Sequence, residues 1–353
     1  MIDTDGPVEA TSSAGGYDAI VVVSFGGPEG PDDVMGFLEN VTRGRNVPRE
    51  RLEVVAEHYL ARGGVSPINA ANRELIAALE PELADAGIDL PVYFGNRNWD
   101  PFLRDTLTTM TDAGVRRALA FVTSAFSTYS GCRQYREDIG AARDAVGSGA
   151  PVIDKIRVFG DHPLFVEAVS DRIRTAVDWE TVDPAGTRLV FTAHSIPQSM
   201  AANCDYVAQL TETARFVAAG LPVDLEHDLV YQSRSGPPQM PWLEPDVNDH
   251  LRALAADATT HVIVVPLGFV SDHMEVIQDL DTEAAATADE VGLEMTRVPT
   301  AGTHPAFVEM IVELIRERMD PSLPRRALGS FGARPDVCPA DCCLLPARPG
   351  RPG

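Results

Sequence analysis

Two stretches of the 353-residue chain combine side chains that can move protons or hold a cation. The first is Thr192-Ala193-His194-Ser195-Ile196-Pro197, which follows the run Arg188-Leu189-Val190-Phe191 and precedes a polar helical segment. This context predicts His194 at the carboxyl end of a buried strand, the place where open α/β sheets bind ligands. The second is Val264-Val265-Pro266-Leu267-Gly268-Phe269-Val270-Ser271-Asp272-His273-Met274-Glu275. It has the same form: a strand, a turn, then a helix that opens with ionisable groups. One imidazole and one carboxylate at the tips of inner strands predict a metal or proton-transfer site, with His194 and Glu275 meeting across a slot between two halves.

Helical spacing extends the acid side of this site. Counted from Asp272, the carboxylates of Glu275, Asp279 and Glu283 fall on one helical face. A solvated acidic surface has the same pattern, but this line starts at a strand tip beside His273. Such a file could pass cations or protons inward, with Glu275 nearest the mouth. His194 could also be a core histidine, or could serve Ser195 as a nucleophile. The second alternative is weak because the Gly-x-Ser-x-Gly elbow is absent. A zinc site is weak as well, since neither His-Glu-x-x-His nor paired Cys-x-x-Cys occurs.

These groups need a scaffold, and the apolar runs supply one. Ala19-Ile20-Val21-Val22-Val23-Ser24 leads into Phe25-Gly26-Gly27-Pro28, the pattern of a buried parallel strand entering a loop. Helices are predicted at 31–40 and 49–61, then from the turn Gly63-Gly64-Val65-Ser66-Pro67 through Leu83. Further strands follow at Val92 to Arg97, Arg117 to Val122 and Lys155 to Phe159. The second half repeats the plan, with Leu189 to Ala193, Asp228 to Arg234 and His261 to Leu267. Ile20 to Tyr93 is a far longer interval than Leu189 to Tyr231, so the first half carries an insertion containing much of Thr42 to Ser66. Two strand-helix units of one kind predict an α/β molecule with a cleft between its halves and the insertion as a lip.

Composition narrows the function. The formal net charge of -23 excludes nucleic acid, which needs clustered Lys and Arg. The apolar fraction of 44% and mean hydropathy of -0.06 fit a soluble globular protein, and no run of 18 apolar residues exists to cross a membrane. Residues 1–16 lack a basic start and an apolar centre, so they read as a disordered leader rather than a signal peptide, and a cytoplasmic location is expected. Structural disulfides are not expected there, yet three of the five cysteines crowd into the Pro- and Arg-rich tail.

Six motifs in order resemble the ferrochelatases, the lyases that insert ferrous iron into a porphyrin. They are Ser24-Phe25-Gly26-Gly27-Pro28, Gly63-Gly64-Val65-Ser66-Pro67, Phe126-Ser127-Thr128-Tyr129-Ser130, Ala193-His194-Ser195-Ile196-Pro197, Tyr231-Gln232-Ser233-Arg234 and Gly268 to Glu275. The resemblance runs from Tyr17 to Met319. It implies two Rossmann-like domains with parallel sheets related by a pseudo-repeat, at 17–165 and 166–304. It also implies a helix at 305–320 returning to the first domain, ahead of a cysteine-containing tail at 321–353. By the same resemblance His194 and Glu275 form the iron site, while Ser66 and Tyr135 contact the tetrapyrrole. Phe25 stands where a tyrosine is frequent. Asp272, Asp279 and Glu283 continue as a metal relay.

Iron insertion requires two pyrrole N-H protons to leave as the dication enters. A free imidazole, with a pKa of about 6.5, is the side chain best matched to that task near neutrality. Bacteria of this resemblance group imply coproporphyrin III as the porphyrin, with protoporphyrin IX the alternative. Arg43 and Arg45, on a basic loop, suit a macrocycle with several propionates. The tail resembles the actinobacterial extension that holds a [2Fe-2S] cluster, which assigns Cys132, Cys338, Cys342 and Cys343 as its ligands and leaves Cys204 to the core. The implied partners are therefore porphyrin and ferrous iron, with a transient contact to the next haem-pathway enzyme. The alternative functional classes are a cobalt-inserting chelatase and a non-catalytic haem or iron carrier.

Overall fold

The structure is a computed structural model that describes residues 16–44, 46–236 and 239–345. Every residue of β1 (Ala19–Ser24) is buried, so this strand needs cover on both faces, as the interior of a parallel sheet provides. It pairs in parallel with β2 (Val92–Asn96) and β3 (Arg117–Val122), and β4 (Val152–Lys155) adds to β3, giving the order β2-β1-β3-β4. The second sheet is built on β5 (Thr187–His194), between β6 (His227–Gln232) and β7 (His261–Val265), with β8 (Glu294–Arg297) outside. Its order β6-β5-β7-β8 is the same permutation, again all parallel. The chain is thus two α/β sheets of one design.

The helices of the first half are α1 (Val34–Val41), α2 (Arg49–Leu60), α3 (Ile68–Asp85), α4 (Leu103–Asp112), α5 (Gln134–Val146) and α6 (Pro163–Ala176). Those of the second are α7 (Gln198–Ala201), α8 (Tyr206–Ala219), α9 (Val247–Ala256), α10 (Met274–Val276) and α11 (Ala285–Val291), with α12 (Pro305–Met319) last. Both α6 and α12 open with proline behind a histidine. Nδ1 of His162 accepts from the Leu164 N-H at 3.3 Å, and Nδ1 of His304 from the Ala306 N-H at 3.2 Å. Each cap satisfies a donor that the first turn would otherwise leave open, and proline suits the first position because its missing N-H is not needed there.

The inner faces of the two sheets share one core. Ile20, Val22 and Phe121 of the first sheet, Leu189, Phe191 and Val265 of the second, and the apolar faces of α6 and α12 belong to one continuous cluster. Each sheet has a separate core on its outer face. The end of α12 is locked by Arg157, a fully buried guanidinium bound by Glu317 at 2.9 Å and by the Arg326 carbonyl at 2.7 Å. A buried cation is tolerated only with such partners. The insertion shares a small core with α1, in which Val34, Phe37, Leu38, Leu52, Ala56 and Tyr59 close over Met274 of the second half. Among the described residues, no helix is long and apolar enough to cross a membrane.

Candidate functional site

His194 is the last residue of β5, in register with Gln232 of β6. Its side chain is 33% exposed. Nδ1 lies 2.5 Å from the carbonyl oxygen of Ser195. A carbonyl can only accept, so Nδ1 carries a proton, and in the neutral ring Nε2 keeps its lone pair. That Nε2 stands 3.9 Å from Oε2 of the half-exposed Glu275. Both residues belong to the second half, His194 on β5 and Glu275 on α10, which corrects the expectation that they meet across the two halves. β5 and β7 are adjacent parallel strands, so the loops after them open at the same edge.

What the first half contributes is a cover. Tyr59 of α2 is 9% exposed, and its phenol is held above the ordinary tyrosine value by burial first and by the charge of Glu275 second. Its ring meets Phe37 edge-on at 5.9 Å, and Phe37 in turn meets Trp99 and Phe25 at 6.2 and 6.3 Å. An aromatic wall from the first half, led by Tyr59 of the insertion, therefore faces the acid that follows β7. Sequence spacing gave no sign of Tyr59.

The carboxylate line is only partly as expected. After Met274–Val276 the chain widens into a π-helix over Ile277–Ala284. The wider turn holds more residues, so a four-residue interval keeps Glu275, Asp279 and Glu283 close to one line. Asp279 accepts from Gln232 Nε2 at 3.2 Å and from the Ser233 hydroxyl. Burial raises its pKa to about 6, and the charges of Glu275 and Glu283 push the same way. Glu283 is exposed and accepts from Gln278 at 3.1 Å. Asp272 leaves the line. It precedes the helix, whose cap His273 is extended, and its carboxylate is taken by Arg297 at 2.6 Å and by the Thr300 hydroxyl and N-H at 3.2 and 3.3 Å. His273, packed on Phe269 at 5.1 Å, has its pKa lowered chiefly by burial.

The residues expected near a flat ligand are spread over two layers. Phe25 is partly exposed, and the Arg97 guanidinium lies 5.6 Å from its ring and 4.8 Å from that of Tyr135. Tyr135 is only 4% exposed and belongs to the outer core of the first sheet. The Tyr135 ring supports the Arg97 guanidinium, which lies over it. Ser66 is buried against Gly27, its N-H donating to the Pro28 carbonyl at 2.8 Å. Arg43 is exposed after α1, and Arg45 lies outside the described residues.

Comparison with known proteins gives the scaffold a family. The ferrochelatase family model matches residues 17–319. The chain belongs to the ferrochelatase family. A ferrochelatase of Rhodopirellula baltica is 56% identical over 342 residues, covering 95% of this chain and 97% of that one. The coproporphyrin III ferrochelatase of Nocardia farcinica is 53% identical over 349 residues, covering 95% and 99%, and that of Mycolicibacterium smegmatis is 54% identical over 330 residues, covering 92% and 95%. Among solved structures, SirB from Bacillus subtilis with Fe3+ superposes with a TM-score of 0.53 at 14% identity, covering 86% of this chain and 96% of that one. At that identity the likeness concerns the fold.

Beyond the part matched by the ferrochelatase model, the tail returns to α5. Arg133 donates to the carbonyls of Ala340 at 2.6 Å and Cys342 at 3.1 Å, and Arg136 to that of Cys338 at 3.3 Å. Cys132, Cys338, Cys342 and Cys343 then line one cavity with Arg133, Arg136, Lys155 and Arg334. The sulfurs of Cys342 and Cys343 are 3.5 Å apart. A hydrogen bond from Cys338 draws the Cys132 thiol down to about 5, with Lys155 and Arg136 reinforcing it, while Cys338 is pushed up by the same bond. Cys204 is partly buried and packs against the shared core, and burial first, with the charge of Cys342 a lesser cause, raises its thiol. Among the described residues, no three His, Cys, Asp or Glu side chains converge on a position for a single metal ion.

Proposed function

We propose that this ferrochelatase metallates coproporphyrin III, with His194 taking protons from the macrocycle and Glu275 receiving the iron. The observation that carries this reading is the pair itself: an imidazole whose Nδ1 is occupied and whose bare Nε2 is aimed at a carboxylate 3.9 Å away. Metallation exchanges two pyrrole N-H protons for one dication. Nε2 can accept a proton directly, and the resulting imidazolium is stabilised by Glu275. An anionic oxygen is also a suitable first ligand for ferrous iron as it sheds water. Asp279, with a pKa of about 6, can take up and release protons near neutrality, which suits it to clear the site after each step.

Support for coproporphyrin III comes from the names of the Nocardia and Mycolicibacterium relatives and from the exposed Arg43 on the lip. A guanidinium is a good partner for a propionate. The test is an anaerobic insertion assay with ferrous iron and each porphyrin in turn. Faster turnover of coproporphyrin III is expected. Preference for protoporphyrin IX would overturn the substrate, and stoichiometric binding without turnover would point to a carrier.

The tail supports a further part of the reading, a [2Fe-2S] cluster on Cys132, Cys338, Cys342 and Cys343. Such a cluster does not ask three ligands to meet at one point, because each iron takes two thiolates. Four thiols around one cavity, two of them close enough to share an iron, fit that demand. Four cationic side chains line the same cavity in a chain of net charge -23, which offsets the negative charge of a thiolate-bound cluster. When bound, the cluster would supply one-electron chemistry and tie the tail to α5. Visible absorbance in freshly purified protein, lost on Cys342→Ser and kept on Cys204→Ser, is the expected result; a colourless parent protein with stoichiometric free thiols would refute it. The same reading places the enzyme in the cytoplasm, passing its product in a transient contact to the next enzyme of haem synthesis.

A further inference from the structure

The peptide unit joining His194 to Ser195 is held at both of its polar ends. Its N-H, on Ser195, donates to the Gln232 carbonyl at 2.8 Å and extends the ladder between β5 and β6. Its C=O, on His194, accepts the hydroxyl of Tyr206 at 3.1 Å. The next carbonyl along, that of Ser195, is the acceptor that fixes the imidazole by Nδ1. The tilt of the first peptide plane therefore sets where the acceptor for the ring is found.

Tyr206 is built to hold that plane. It opens α8, is 5% exposed, and stands edge-on to Phe126 at 6.3 Å. Burial keeps its phenol protonated, and so a donor. The start of α8 is anchored in turn: Arg334 grips Asp205 at 2.6 Å, and Asn203 donates to the Leu344 carbonyl at 3.2 Å. Further along the helix, Gln209 accepts from the Ser127 N-H at 2.9 Å. The hydroxyl thus projects from a platform fixed on two sides.

We propose that Tyr206 is a positioning residue for His194: its hydroxyl, by holding the His194 carbonyl, selects the ring form with Nδ1 protonated and Nε2 free towards Glu275. This inference rests on the reading of His194 as the proton acceptor. Outer partners that fix the tautomer and orientation of a working histidine are worth as much as some ligands.

Tyr206→Phe keeps the ring and removes only the oxygen. Thr213→Val is the matched control on the same helix, because Thr213 is 2% exposed and its hydroxyl donates to the Gly160 carbonyl at 3.0 Å, away from the site. The full chain would be followed in two ways: metallation kinetics with ferrous iron under argon, and nitrogen NMR of histidine-labelled, metal-free protein. Tyr206→Phe is expected to lower kcat by about tenfold with the KM for porphyrin unchanged, and to turn the single His194 tautomer into a mixture. Thr213→Val should keep both kcat and the tautomer pattern, even where the two variants lose equal stability. A Tyr206→Phe enzyme with the parent tautomer, or with a kcat no lower than that of Thr213→Val, would overturn the proposal. His194→Ala separates this from the underlying reading. Full insertion by that variant removes His194 from the chemistry, whereas its inactivity beside an unaltered Tyr206→Phe removes only the positioning role.

Discussion

Nε2 of His194 and Oε2 of Glu275 face each other at 3.9 Å, beyond hydrogen-bond range. The two groups are close enough to feel each other's charge and too far apart to satisfy each other. A pair left in that state is suited to act on something placed between them.

The two members should therefore fail differently. Replacing the imidazole, His194→Ala, is expected to cut kcat by roughly 10²- to 10⁴-fold while porphyrin still binds. Glu275→Gln keeps the shape and loses the charge, so its main effect should be a higher KM for iron. Steady-state kinetics with each substrate varied separately decides this, and equal effects on both parameters in both variants would contradict the division of labour.

Asp279 gives a pH signature in stability. Its folded pKa is raised to about 6, against about 3.9 for an unfolded aspartate. Between those values the folded chain keeps a proton that the unfolded chain has lost, so the group's support for the fold is full at acid pH and fades as pH climbs through about 6. Asp279→Asn carries no charge to bury. Its unfolding free energy from urea titrations should rise relative to the parent's as pH climbs from about 4 to about 6, reaching on the order of 1 to 3 kcal/mol at neutrality. A difference that does not vary with pH would show that burial of the charge is not the cause.

The two glycine-rich loops of the first half are pressed together. A Cβ on Gly27 would lie 2.6 Å from Cβ and 2.7 Å from Oγ of Ser66. Gly27→Ala should cost about 1 to 3 kcal/mol by overpacking, and Ser66→Gly in the same chain should recover part of that loss. A double-mutant cycle in urea measures the coupling. Simple additivity would mean that the loops separate freely.

Arg133 should control access to the tail thiols in cluster-free protein. It supplies two charged hydrogen bonds to tail carbonyls, each worth about 1.5 kcal/mol or more. Losing even one such bond makes opening about tenfold easier. Arg133→Ala is therefore expected to speed the reaction of Cys342 and Cys343 with a thiol reagent by about that factor. Unchanged kinetics would place the restraint elsewhere in the tail.

The scaffold was legible because parallel strands buried on both faces leave unbroken β-branched runs, such as Ile20 to Val23, and because the run-turn-helix pattern occurs twice. His194 and Glu275 could be read for the same reason, since each follows such a run. The surroundings were less accessible. Tyr59 reaches Glu275 only because the insertion folds over the second half, a contact without local periodicity. Asp272 fitted the spacing but obeyed Arg297, whose reach depends on β8 lying beside β7. The role of Tyr206 is not legible, because a phenol's hydrogen bond to the His194 carbonyl leaves no trace in spacing. The stacking of Arg97 over Tyr135 likewise joins two elements far apart in the chain and leaves no mark in local spacing.

The lock between Arg157 and the end of α12 has a consequence for how the protein is made. Until nearly the whole polypeptide has left the ribosome, a guanidinium with no solvent around it has only the longer contact to Asp161 at 3.4 Å, because its closer carboxylate partner is Glu317 at 2.9 Å. The amino-terminal sheet, whose inner face packs against α12, is therefore completed only late in synthesis. It must wait, with part of its apolar face uncovered, for a segment translated last.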